Sequence, residues 1–173
     1  DGVNPEARRA LTQRFQEYVA KYSVYHNIIL LDVEGRVLAQ LDENSKIEAS
    51  SDPLIQEALM TTDEYIECFR DTDLDSESGS SLIYAFRVSE GNDSQSKALG
   101  VLCLCFRFED EMKGIFSDLL DVDDWSIITI LDENGQVIAS SDPYQVPCGA
   151  IMERELQGNY KLVRFAGNEF LAK

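Results

Sequence analysis

Positive charge is scarce in this sequence. Fifteen Lys and Arg stand against 32 Asp and Glu in 173 residues, a formal net charge of −17. Nucleic-acid binding needs clustered cations to replace the counterions around phosphate, so nucleic acid is excluded as a partner. The acidic excess reads instead as a solvated surface that keeps the chain soluble. Histidine and tryptophan occur once each, at His26 and Trp125. A Ser-His-Asp or Cys-His machine would have to use that one imidazole, which falls at a helix-to-strand junction beside Asn27 and reads as a surface or capping group. Long hydrophobic runs are missing too. The longest, Ala98-Leu-Gly-Val-Leu-Cys-Leu-Cys-Phe106, is far short of the roughly 20 residues that a bilayer crossing takes. The chain begins at Asp1 with no signal-like apolar region and reads as a piece of a larger protein; if that protein is membrane-bound, its anchors are expected outside this piece.

Cys68, Cys103, Cys105 and Cys148 do not make a disulfide framework. Cys103 and Cys105 are two apart in a strand-like run, too extended to bridge each other easily, and with a single histidine they are a poor zinc set. Buried free thiols are the reading that remains. No phosphate-binding loop, dinucleotide fingerprint, His-Glu-x-x-His or Gly-x-Ser-x-Gly motif occurs, so no catalytic group, metal or cofactor is expected. Asp71-Thr-Asp-Leu-Asp-Ser-Glu77 imitates the opening of a calcium loop. Its sixth position is Ser76 and its twelfth is Leu82, where such a loop needs Gly and Glu, so it reads as a solvated acidic loop.

The chain opens on a helix over 5–24, with Asn4 as cap and Pro5 in its first turn. Its apolar stripe is Ala7, Leu11, Phe15, Tyr18, Val19 and Tyr22. Strands follow at Ile28–Val33 and Arg36–Leu41, then a helix from Asp52-Pro53, then strands at Tyr65–Phe69, Ser81–Val88 and Ala98–Phe108. A helix over Glu109–Leu120 leads to a second pair of strands, Ser126–Leu131 and Gln136–Ser140. Leu31-Asp-Val-Glu-Gly-Arg-Val-Leu-Ala39 and Leu131-Asp-Glu-Asn-Gly-Gln-Val-Ile-Ala139 align without a gap at an offset of 100 residues. In each, Asp can bond the turn backbone and Gly can take the positive φ of a reversal. A Ser-Ser-Asp-Pro tetrapeptide follows each hairpin, at 50–53 and 140–143. Two such copies predict two related units in tandem. The second has room only for short strands near 158–165 and 169–171.

Long helix, Asp-x-x-Gly hairpin, Asp-Pro helix, three strands, connecting helix and second hairpin together resemble the Cache family of sensor domains. The resemblance is carried by Ile28–Leu41, Leu99–Leu120 and Ile127–Pro143 and extends over essentially the whole chain. It implies an α+β fold: a PAS-like antiparallel sheet with a long N-terminal helix, followed by a second, smaller or truncated PAS-like unit. The divisions it implies are a helix at 1–26, a membrane-distal unit at 27–108, a connecting helix at 109–124 and an incomplete unit at 125–173. It further implies the ligand-sensing input region of a bacterial chemotaxis or related signalling receptor, with no catalysis, homodimeric in the full receptor. The expected place is extracytoplasmic, whereas unpaired thiols favour a cytoplasmic sensor. The alternative function is a ligand-free dimerisation module. Amino-acid-binding members carry Arg-x-Trp-Tyr and an Asp on the last strand. This chain lacks the first and has Cys105 in place of the second, so a conventionally held α-amino acid is not expected. Strand alternation offers Tyr84, Phe86, Cys103 and Cys105 as a pocket, with Arg70 or Arg107 at its rim, for a small, partly apolar and anionic molecule.

Overall fold

The computed structural model describes residues 4–75, 80–91, 96–120, 125–132, 134–157, 160–165 and 168–172. The chain divides into two compact units, residues 1–108 and 109–173. In the first, α1 (Pro5–Lys21) starts where the Asn4 side chain accepts from the Glu6 N–H at 3.0 Å, with Pro5 in the first turn. The strands β1 (Tyr25–Asp32), β2 (Val37–Gln40), β3 (Ile66–Asp71), β4 (Ser80–Ser89) and β5 (Ala98–Phe106) make one antiparallel sheet in the order β2-β1-β5-β4-β3. The helix α2 (Pro53–Met60) lies between β2 and β3 in sequence and is capped by Asp52, which accepts from the Leu54 N–H at 2.8 Å.

One face of this sheet holds the core. Ile29 and Leu31 of β1, Ile83 and Ala85 of β4, and Val101, Cys103 and Cys105 of β5 pack with Leu54, Ile55 and Ala58 of α2 and with Leu74. On β1 and β5 Ile28 and Leu104 are buried on the opposite face as well, so these two strands read as near-continuous apolar runs, whereas β4 alternates buried and half-buried positions. The N-terminal helix has no fully buried residue. Its stripe lies against β2 and β1 with Leu11, Phe15 and Val19 half-buried and Tyr18 and Tyr22 exposed. Tyr18 stacks on Tyr25 (6.1 Å between ring centroids), and Tyr25 meets Phe106 edge-on. The outer edge of β2 is closed by side chains of α1. Arg8 Nε donates to the Leu38 carbonyl at 2.9 Å and Thr12 Oγ1 to that of Gln40 at 3.4 Å, which occupies acceptors that a foreign strand would use.

The two hairpins match hydrogen bond for hydrogen bond. Asp32 Oδ1 accepts from the backbone N–H of Glu34 (2.9 Å) and Arg36 (2.8 Å), and Asp132 Oδ1 from those of Asn134 (2.9 Å) and Gln136 (2.8 Å). Gly35 and Gly135 have φ of +82° and +85°, and each ladder shifts register at the same place, after Leu30 and after Ile130. The Asp42 side chain accepts from the Asn44 N–H as Asp142 accepts from that of Tyr144. Further on, Ser50 N–H bonds the Gly35 carbonyl (2.8 Å) and Met152 N–H that of Gly135 (2.9 Å), so the offset has grown to 102 and two residues are inserted in the second copy.

This correspondence corrects one sequence expectation. The two Ser-Ser-Asp-Pro tetrapeptides are not counterparts. Residues 50–53 cap α2, whereas 140–143 end a strand and enter a turn. The counterpart of Asp142 is Asp42, not Asp52. The helix α3 (Phe108–Leu119) belongs to the second unit in all but its first residue, and that unit also holds the hairpin β6 (Thr129–Leu131) and β7 (Val137–Ser140). A separate three-stranded meander follows, β8 (Glu153–Gln157), β9 (Tyr160–Phe165) and β10 (Asn168–Ala172). A small core of Val137, Val146 and Met152 lies under the hairpin. The polar sequence of β8, Glu-Arg-Glu-Leu-Gln, gives no alternation from which a strand could be foreseen.

Candidate functional site

Strand registers separate the residues that alternation had grouped. On β4 and β5, Ile83 opposes Cys105 and Ala85 opposes Cys103, while Tyr84 opposes Leu104 and Phe86 opposes Leu102. Opposed residues share a face, so the two thiols lie on the α2 side and the two rings on the other. There Tyr84 and Phe86 pack with Tyr65, at 5.6 and 5.5 Å between centroids. Arg70 opposes Ser81, on the thiol side, and holds Asp52 through both carboxylate oxygens. Arg107 lies just past β5, exposed, with Nε 3.4 Å from the Tyr25 carbonyl. The six expected residues therefore do not bound one pocket.

Burial raises the Cys103 thiol to about 12 and also pushes the Cys105 thiol well above its ordinary value, so both are neutral fillers of the core. The Arg70 guanidinium lowers the Asp52 carboxyl below its usual range, and Asp52 in turn raises Arg70.

A cavity of about 590 Å³ opens elsewhere in the same unit. Its lining comes from the start of β1, from the segment joining β2 to α2 and from the segment joining β3 to β4. The residues that give it chemistry are His26, Asn27, Asp42, Lys46, Glu48 and Asp75. Asp75 is 8% exposed and accepts from His26 Nε2 at 2.9 Å and, in a short bond, from the Ser81 hydroxyl. Both donors meet on the carboxylate, which orders the site without setting serine against imidazole. Asn27 is 5% exposed, and its Oδ1 accepts from the Asp42 N–H at 3.0 Å, fixing the start of the loop over the cavity. Four carboxylates (Asp42, Glu48, Asp73, Asp75) face one lysine and one histidine.

The acidic segment that read as a solvated loop is only partly so as far as it is described: Asp71 and Asp73 are exposed, and the residues between and after them turn inward. Thr72, Leu74 and Asp75 are buried, and Asp73 accepts from the Ser50 hydroxyl and from the Ser51 N–H (2.9 Å). Ser76 and Glu77 lie outside the described residues. Among the described residues no cluster of three or more His, Cys, Asp or Glu is placed to hold a metal ion. Asp75 and His26 are 49 positions apart and meet only through β1-β5-β4 pairing. Alternation in sequence turns Thr72 and Leu74 inward but groups Asp75 with the exposed Asp71 and Asp73, so no signal in sequence marks the burial of Asp75.

No protein-family model matches the chain, and no curated protein does. Solved structures do. The sensor domain of the V. cholerae histidine kinase DctB matches with a TM-score of 0.63 at 16% identity, over 96% of this chain and 73% of that one. A domain of a sensory box/GGDEF family protein from Vibrio parahaemolyticus gives 0.59 at 16%, over 96% and 76%. The ligand-binding domain of the Campylobacter jejuni chemoreceptor Tlp3, in complex with 4-methylisoleucine, gives 0.55 at 14%, over 93% and 68%. Among the described residues no helix is long and apolar enough to cross a membrane. With its 2-1-5-4-3 sheet, its leading helix and its repeated hairpin, the chain has the Cache-like, PAS-type fold of these sensor domains.

Proposed function

We propose that this chain is the ligand-sensing input region of a bacterial signalling receptor, extracytoplasmic in place, and that the cavity over His26 and Asp75 takes the ligand. One observation carries the reading: a cavity sized for a small molecule with an ordered polar floor, Asn27 and Asp75 both more than nine-tenths buried. The carboxylate excess favours a small molecule bearing an ammonium group, held at Asp42 and Glu48 on the open side, away from the occupied Asp75. That departs from the anion expected when Arg70 and Arg107 were placed at the rim. Arg70 is taken up by Asp52, and Arg107 stands in solvent. The solved relatives described as extracellular or periplasmic support the placement.

The loop over the cavity leads back into β2, and α1 is held to β2 by Arg8 and Thr12. A ligand that prefers one position of this loop shifts the population of α1 packings by its difference in affinity for them. The exposed rings of Tyr18 and Tyr22 on α1 support a second reading, a ligand-free dimerisation module. Thermal-shift titration with putrescine, ethanolamine and isoleucine, beside the matched carboxylates, separates the two. The sensor reading expects a concentration-dependent rise in Tm for an amine, lost in Asp42→Asn. No rise with any compound, together with a dimer by light scattering, supports the module instead.

A further inference from the structure

The start of β1 is irregular. The ladder with β5 pairs Tyr25 with Phe106 but Asn27 with Cys105, so His26 is an extra residue, a bulge in the strand. Neighbours on a regular strand point to opposite faces, whereas His26 and Asn27 both line the cavity. The bulge thus brings two polar side chains to one floor.

The orientation of the Asn27 amide is fixed. Its Oδ1 accepts from two backbone donors, the N–H of Ile28 at 2.9 Å and that of Asp42 at 3.0 Å, so the nitrogen points the other way. Nδ2 makes no hydrogen bond among the described residues, and it is not sealed from solvent. Since Asn27 is only 5% exposed and lines the cavity, that donor opens into it. A ligand that supplies an acceptor there forms a hydrogen bond largely screened from water.

Asp42, proposed above as a partner for an ammonium, rests its backbone N–H on that same Asn27 oxygen. The ammonium subsite and the amide donor are therefore neighbours, and one small molecule fills both when its ammonium and its acceptor are a few bonds apart. The acceptor is uncharged. Carboxylates at Asp42 and Asp75 disfavour an anion at this floor, and the lysine among the lining residues, Lys46, is exposed on the loop.

We infer that the His26 cavity selects an α-ammonium next to an uncharged carbonyl, as in an amino-acid amide or ester, with the carbonyl oxygen accepting from Asn27 Nδ2. This rests on the reading of the cavity as the ligand site and adds to it the group that accompanies the ammonium. A plain amine leaves the Asn27 donor unmet, and a free amino acid brings a second anion among the carboxylates.

Isoleucine methyl ester, isoleucine and 2-methylbutylamine share an apolar body and an ammonium, and of the three only the ester adds an uncharged acceptor. They are compared in amide-shift NMR titrations of the 173-residue chain at about pH 6, where each amine is charged. The ester is expected to bind about tenfold more tightly than either of the others. In Asn27→Asp an oxygen replaces the donor while the N–H groups of Ile28 and Asp42 keep their acceptor, and the preference for ester over amine is expected to vanish. The inference is overturned if the parent binds the amine or the free amino acid as tightly as the ester, a comparison that needs no variant. A preference that survives Asn27→Asp overturns it as well. Either result leaves the cavity a ligand site, whereas amides at 42–49 and 73–75 that stay unmoved with all three compounds overturn that reading and this one together.

Discussion

Arg70 grips Asp52 through both oxygens of the carboxylate, one bond measuring 2.7 Å, while the same carboxylate caps α2 at the Leu54 N–H. One side chain thereby ties β3 to the N-terminus of α2. With Asp73 on Ser50 and Ser51, it fastens the segment before α2 to the end of β3 and the residues that follow it.

Asp52→Ala removes cap and ion pair together and is expected to lower stability by about 2–4 kcal/mol in urea unfolding. Arg70→Ala leaves the cap in place, and with Arg70 43% exposed it is expected to cost less, about 1–2 kcal/mol. The Asp52 carboxyl titrates below its unfolded value, so its contribution is present above the ordinary carboxylate pKa near 4. It is lost as pH falls through the lower folded value. Parent and Asp52→Asn are therefore expected to differ most at neutral pH and to converge on acidification. A gap that widens below pH 4 contradicts the pairing.

Three glycines are expected to rank by what a Cβ would meet. At Gly100 it would lie 2.0 Å from the Leu31 carbonyl oxygen, backbone that cannot move without opening the β1-β5 ladder. At Gly35 it would meet the Ser50 carbonyl oxygen at 2.4 Å in a residue already at φ +82°. Gly149, at φ +86°, has only the end of the Gln136 side chain nearby, at 3.9 Å. Substitution by Ala is expected to cost about 1–2 kcal/mol at Gly149, the left-handed penalty alone, and more than about 3 kcal/mol at Gly100 and Gly35. Denaturant midpoints of the three variants give the order.

The four cysteines are all free and are expected to react in sequence with a thiol reagent. Exposed Cys148 leads and half-buried Cys68 follows. Cys103 and Cys105, both at 0% exposure and raised by burial, react only as the first unit opens. Mass spectrometry of timed quenches reads the order directly.

The buried carboxylate at the cavity floor supplies a further expectation. Asp75→Ala strands the Ser81 hydroxyl, 3% exposed in its residue, as well as the His26 imidazole, and is expected to cost about 2–3 kcal/mol in thermal or urea unfolding. Asp75→Asn keeps an acceptor for Ser81 and is expected to cost less.

Much of the fold could be read in the sequence because its signals are local. Asn4-Pro5 and Asp52-Pro53 mark helix starts, and the Asp-x-x-Gly turns declare both hairpins down to individual hydrogen bonds. The candidate site could not be read in the same way. Alternation says which residues of one strand share a face but not which face of the next strand they join, and a shift of one position puts Tyr84 with Leu104 in place of Cys105. The Asp75–His26 contact depends on three strands keeping register, and the inward turn of Thr72, Leu74 and Asp75 depends on the Ser50 and Ser51 partners brought by α2. Repetition misled where it was shortest: four identical residues, Ser-Ser-Asp-Pro, take different roles because their distances from the hairpin glycine differ.

That the His26 cavity receives an ammonium-bearing molecule is the claim on which the functional account turns. Amide chemical shifts followed during titration with putrescine, ethanolamine and isoleucine test it most directly. Shifts that saturate at Asn27, at residues 42–49 and at 73–75, and that vanish in Asp42→Asn, are the predicted result. Titrations that leave those amides unmoved, or that move only residues remote from them, contradict it.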